Sequence, residues 1–169
     1  MNTLMIVLRL IHIFGGMFWM GSTLLMVLFI LPSVNATTEA GQKFLGHFLT
    51  KTHYGRILGL SAILTMVAGG SLYWIDSAGF DSNWTRSGPG WGFGIGGILG
   101  IIGFVYGNRF GNNIMTLGRT AAQIEGQPTA EQKADLEAAQ KPLRALGTTS
   151  TVALILALIC MATARYWRF

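Results

Sequence analysis

From Met5 to Leu31 the chain stays apolar for long enough to cross a bilayer, broken only by Arg9, His12 and a few small polar residues. At 1.5 Å per helical residue, roughly 20 apolar residues cover about 30 Å of hydrocarbon. Inside hydrocarbon each backbone N–H and C=O must be bonded within its own segment, so the run must be helical. Three more segments reach the same length, and the expected spans are about 4–31, 56–76, 92–117 and 145–165. Composition agrees, since 51% of the 169 residues are hydrophobic and 11% charged, against about 25% charge in an ordinary soluble domain. The expectation is an all-α integral membrane protein, with one transmembrane domain over 1–169 folded as an antiparallel four-helix bundle. Val34 and Ala36 form a weak cleavage-like pattern after the first span. The apolar stretch nevertheless far exceeds the roughly 7–15 residues of a signal-peptide core and has no basic leader, so a retained span is expected.

The connections set the orientation. Ala36 to Tyr54 carries Lys43 and Lys51 among Phe44, Leu45, Phe48 and Leu49, a pattern suited to a short interfacial helix. Asp76 to Gly90 is rich in Gly, Ser and Asp and is flanked by Trp74, Trp84 and Trp91, which reads as a turn-rich loop with aromatic anchors at the headgroups. A Gly126-Gln127-Pro128 break precedes Thr129 and Gln132, spaced as a capping box for a polar helix running toward Pro142. The expected result is a solvent-facing helical hairpin. Lys43, Lys51 and Arg56 flank the first connection, and Arg109, Arg119, Lys133, Lys141 and Arg144 flank the third. Arg9, Arg86, Arg165 and Arg168 lie on the other side. The positive-inside rule then puts both termini outside and loops 32–55 and 118–144 in the cytoplasm of a prokaryotic inner or plasma membrane.

Several function classes fall away. The single Cys160 excludes an intrachain disulfide, a cysteine pair for zinc and an iron–sulfur signature. The net charge of +5 is dispersed through the connections with no aromatic-interleaved patch, so no nucleic acid partner is expected. No nucleophile with an adjacent base, intramembrane carboxylate pair or phosphate loop is present. The expected partners are the lipid bilayer and a membrane protein or a second copy of the chain.

His12 remains. An ionisable group at membrane depth marks a cofactor, ion or proton site by default. Spacings of three and four place Arg9, His12, Gly16, Trp19 and Thr23 on one helical stripe, with His12 about 12 Å below the interface, level with Ala68, Gly100 and Ala157. On the third span Gly92, Gly96, Gly100, Gly103, Gly107 and Gly111 share one face. Such a face is a flat wall for a porphyrin or quinone, or equally a surface for close helix packing. His47 and His53 belong to the opposite side of the membrane, on the order of 20 Å away along the normal, so a second axial ligand would come from Met161 or Met66, with Met packing as the alternative. Arg9 either holds a haem propionate or pairs with Asp76.

The run Leu10-Ile11-His12-Ile13-Phe14-Gly15-Gly16-Met17-Phe18-Trp19-Met20-Gly21, followed by Leu31-Pro32, resembles the first span of the copper-resistance CopD-like group and of the HemJ-type protoporphyrinogen oxidases. The resemblance covers the first 75 residues loosely and implies that His12 ligates haem or a metal. The chain departs from the HemJ pattern at Ser33 and Val34 after Pro32 and has no lysine within its third or fourth span, which argues against protoporphyrinogen oxidation. The leading expectation is a small b-type haem or electron-transfer protein, in which His12 is the axial ligand, Arg9, Gly16, Trp19, Gly96, Gly100 and Gly103 line the cofactor, and Met161 is a further metal ligand. The competing expectations are a non-catalytic accessory subunit of a larger membrane complex and, third, a copper or other metal-handling protein.

Overall fold

A computed structural model describes residues 3–124 and 129–169, which contain helices and no strand. In chain order these are α1 (Thr3–Leu25), a π-helical turn (Met26–Ile30), α2 (Leu31–Ala36), α3 (Thr38–Lys51), α4 (Tyr54–Asp76), α5 (Ser82–Thr85), α6 (Gly88–Ala122), α7 (Ala130–Gln140) and α8 (Leu143–Thr163), closed by a 3₁₀ turn at Ala164–Tyr166. Four stretches, Thr3–Ala36, Tyr54–Asp76, Gly88–Thr120 and Ala130–Tyr166, are long and apolar enough to cross a membrane. The four predicted spans are therefore all present as helices. The Gly126-Gln127-Pro128 break lies outside the described residues.

Glycine sets the closest seam. On α6 a Cβ at Gly92 would lie 2.6 Å from Ala164 Cβ, one at Gly96 would lie 2.7 Å from Met161 Cγ, and one at Gly103 would lie 2.7 Å from Leu154 Cδ2. The paired numbers rise on α6 as they fall on α8, so the two helices are antiparallel. Ser150, fully buried, donates its hydroxyl across this seam to the Gly103 carbonyl at 2.9 Å. Backbones that approach this closely gain dispersion contact along their whole length, which is how helices associate where lipid removes the hydrophobic drive. α1 and α4 form the second antiparallel pair, with Gly15 against Ser61 and Thr65. The pairs join through Met66 against Gly100, and through a core of Trp19, Ala62 and Leu154.

The larger core sits at the end of the bundle away from the termini. There Met26, Val34, Leu45, Leu49, Phe110, Ile114, Leu117, Leu136 and Leu143 are buried together. The apolar face expected to rest in the membrane surface is split by this packing: Leu45 and Leu49 turn into the protein, while Phe44 stays exposed and stacks on Phe48 at 5.8 Å. The capping box of α7 forms as its spacing predicts, with Gln132 N–H on Thr129 Oγ1 at 3.2 Å and Thr129 N–H on Gln132 Oε1 at 2.9 Å. Leu136 anchors that helix to the same core.

The first helix continues past the expected limit at Leu31, through Pro32 to Ala36. Proline has no N–H, and its ring collides with the carbonyl four residues earlier. The π turn relieves this, and the Leu31 N–H reaches back to Met26 O, a widened turn of the kind that admits proline without ending a helix. At the opposite end, Ala78, Gly79 and Phe80 all have positive φ, at 49°, 81° and 68°. Ser77 holds this tight turn by accepting the Phe80 N–H at 3.0 Å, and Phe80 stands edge-on to Trp74.

The α6–α8 seam yields a paired prediction. Gly92→Ala must push α6 off the Ala164 backbone and is expected to lower stability by about 1–3 kcal/mol. Gly97→Ala, with nothing within 4 Å of the added methyl, is expected to be neutral or stabilising because alanine favours helix. Thermal unfolding in detergent micelles measures both.

Candidate functional site

His12 lies half-buried on α1 where that helix meets α4. Its ring packs on Gly69, where a Cβ would come within 2.7 Å of His12 Cε1 and 2.8 Å of Nδ1. Nδ1 is 2.9 Å from the Thr65 carbonyl. Because a carbonyl only accepts, Nδ1 carries the proton, which in the neutral ring leaves the lone pair on Nε2. The Thr65 carbonyl is also the ordinary helical acceptor for the N–H of residue 69, four positions on, so the imidazole uses its second lone pair. Glycine at 69 is what lets the ring reach it. Nε2 makes no hydrogen bond among the described residues.

The sequence stripe and the real seam differ by a fraction of a turn. The ring meets Gly69, one residue from the Ala68 level expected from counting. Gly15 rather than Gly16 makes the closest approach, since a Cβ on Gly15 would lie 2.6 Å from Thr65 Oγ1, whereas one on Gly16 would sit at 3.4 Å from Thr65 Cγ2. Trp19, two turns from His12, is buried at 6% exposure and stands edge-on to Phe104 at 6.0 Å. It is a core residue that closes the bundle below the histidine.

The other candidate residues have partners of their own. Arg9 Nη2 is 4.0 Å from Asp76 Oδ2, with both side chains about one-third exposed at 37% and 33%. Gly96 and Gly103 are covered by Met161 and Leu154 of α8, and Gly100 faces Met66 Sδ, 3.8 Å from where its Cβ would be. The side-chain-free face of α6 is thus occupied by helix packing from Gly92 to Gly107, and only Gly111 among the glycines of that face has nothing within 4 Å of its Cβ position. Met161 belongs to the α6–α8 seam, whereas His12 belongs to the α1–α4 seam. Among the described residues no group of three or more His, Cys, Asp and Glu is placed to hold a metal. His47 and His53 are exposed, on α3 and before α4, and His53 lies roughly 24 Å along α4 from Gly69.

An open apolar groove of about 510 Å³ runs along the same α1–α4 pair toward the termini, lined by Leu4, Leu8, Gly70, Ser71, Trp74, Ile75 and Phe80. Leu8 is one turn from His12 and Gly70 adjoins Gly69. The sequence singles out His12 but not the Thr65 carbonyl that its imidazole meets. The signal was the i, i+4 spacing of Thr65 and Gly69 opposite a histidine. Compared with protein-family models, curated proteins and solved structures, the chain has no match.

The geometry predicts that His12 holds its proton on Nδ1. In ¹⁵N-labelled protein the His12 shifts are expected to report that single tautomer, and Gly69→Ala, which drives a methyl into the ring, is expected to give mixed tautomers.

Proposed function

We propose that the protein is a small integral membrane protein in which His12 would hold a haem b group through Nε2. The observation that carries the reading is the Nδ1 hydrogen bond to the Thr65 carbonyl at 2.9 Å. Ligating histidines are oriented by such a bond, which fixes the tautomer and raises the basicity of the other nitrogen. The residues fit a single imidazole ligand. Of the two methionines considered as a second ligand, Met161 packs on Gly96 in a different seam and Met66 turns its sulfur to Gly100. Haem, when bound, supplies one-electron redox chemistry at its iron. His12 would hold that iron, while Gly69 and Thr65 hold the imidazole and Trp19 with Phe104 seals the bundle below it. Arg9 either keeps Asp76 or releases it for a propionate, a choice made easier by the 4.0 Å separation and partial exposure of the pair.

The arrangement in the membrane follows from charge. Lys43, Lys51, Arg56, Arg109, Arg119, Lys133, Lys141 and Arg144 belong to elements at the end away from the termini, which supports a cytoplasmic position for α3 and α7 and an external one for both termini. Glu39 on α3 is bonded to Lys43 at 2.7 Å, and this hydrogen bond and charge hold its carboxyl below the usual range.

A second reading, a non-catalytic accessory subunit, is favoured by one specific feature. Only 17% of the most apolar stretch of α1 and of α4 is buried, against 28% and 33% for α6 and the α7–α8 stretch, and Phe14 and Met17 are two-thirds exposed at 66% and 65%. A pair of helices so little covered by its own chain suits contact with lipid or a membrane partner.

Gently solubilised protein titrated with haem is expected to develop a Soret band that His12→Ala abolishes while the variant still elutes as folded protein. An unchanged band in the variant refutes the ligand role. Stoichiometric partner chains copurifying with colourless protein that takes up no haem establish the accessory reading instead.

A further inference from the structure

Thr151 on α8 is buried at 6% exposure, and its hydroxyl oxygen has no hydrogen-bond partner among the described residues. A buried hydroxyl without a partner is costly, and more so in a span with no bulk water. Threonine in a helix ordinarily satisfies itself on the carbonyl four residues back, as Thr23, Thr65 and Thr163 do here. Thr151 does not. Its position is fixed by its neighbours on the same face. Gly147, one turn earlier, lies against Val27, where a Cβ would be 2.9 Å from Val27 Cγ2. Leu154, three residues later, packs in the core with Trp19. Between Val27 in the π turn and Trp19 on the antiparallel α1 stands Thr23, itself buried at 5%. Its hydroxyl donates to the Trp19 carbonyl at 2.9 Å and so retains lone pairs that accept.

We propose that Thr151 and Thr23 together form a binding site for one internal water molecule on the α1–α8 seam. The water accepts from the Thr151 hydroxyl and donates to Thr23 Oγ1, which meets the requirement of at least two polar partners for a buried water. It pins the α1–α4 pair to the α6–α8 pair at a seam that is otherwise apolar, just before the π turn of the first span. The inference is independent of any cofactor at His12.

The test uses the full chain in detergent. Thr151→Val preserves shape and removes the hydroxyl. If the site holds water, the variant melts lower, by roughly 2–4 °C, Thr23→Val does the same, and the double variant loses less than the sum because both groups share one molecule. Thr151→Ser, which keeps the hydroxyl, is expected to show the same coupling to Thr23→Val. A Thr151→Val protein that melts at or above the wild-type temperature overturns the proposal, since the hydroxyl is then an uncompensated cost. High-resolution density is the second measurement: a peak within hydrogen-bond distance of both hydroxyls supports the site, and two hydroxyls bonded directly to each other overturn it.

Discussion

The close approach of α6 and α8 is the constraint on which the rest of the bundle rests. Gly92, Gly96 and Gly103 remove the side chains that would hold the backbones apart, and α8 fills the space with Ala164, Met161 and Leu154. The Ser150 hydroxyl on the Gly103 carbonyl adds a polar tie in a place where water cannot compete. These two helices make the more closely packed half of the molecule. α1 and α4 lean on it through few contacts, Met66 on Gly100 and the Trp19 cluster among them. Much of their own surface is left for whatever surrounds the protein.

That division explains which features were legible in the sequence. The four spans, the capping box at Thr129 and Gln132 and the separation of His12 from His47 and His53 follow from local properties: hydropathy, hydrogen-bond spacing and rise per residue. The use made of the glycines on α6 does not, because a bare helix face suits a flat ligand and a neighbouring helix equally well until its partner is known. The same holds for α3. Its apolar residues carry the period of an interfacial helix, yet Leu45 and Leu49 are claimed by Phe110, Ile114 and Leu117, none of them near in the chain. Extension of the first span through Pro32 is a tertiary choice as well, made through a π turn that no propensity announces.

His12 joins two demands that usually conflict. A polar ring in hydrocarbon must be satisfied, and a ring that is to bind anything further must be left partly free. The α1–α4 seam meets the first demand with one nitrogen and keeps the second nitrogen available. The glycine at 69 and the carbonyl at 65 belong to the same turn of α4, so a single turn supplies both the space and the hydrogen bond. The site depends on backbone more than on side chains, which is why so little of it appears as a recognisable motif.

The π turn at Met26–Ile30 has a consequence for how the first span accommodates change in length. One residue more than an α-helix needs is taken up there, and each residue of an α-helix advances the azimuth by about 100°. Wind that segment at α pitch with every residue kept, and everything beyond it swings round by more than a quarter of a circle. Val34 would then leave the side of the helix where its backbone meets Gly41, and α3 would lose its seat against α2. The widened turn therefore works as a phase adjuster: the part of the helix that faces α4 and the part that receives α3 each keep their own alignment, although one unbroken helix carries both.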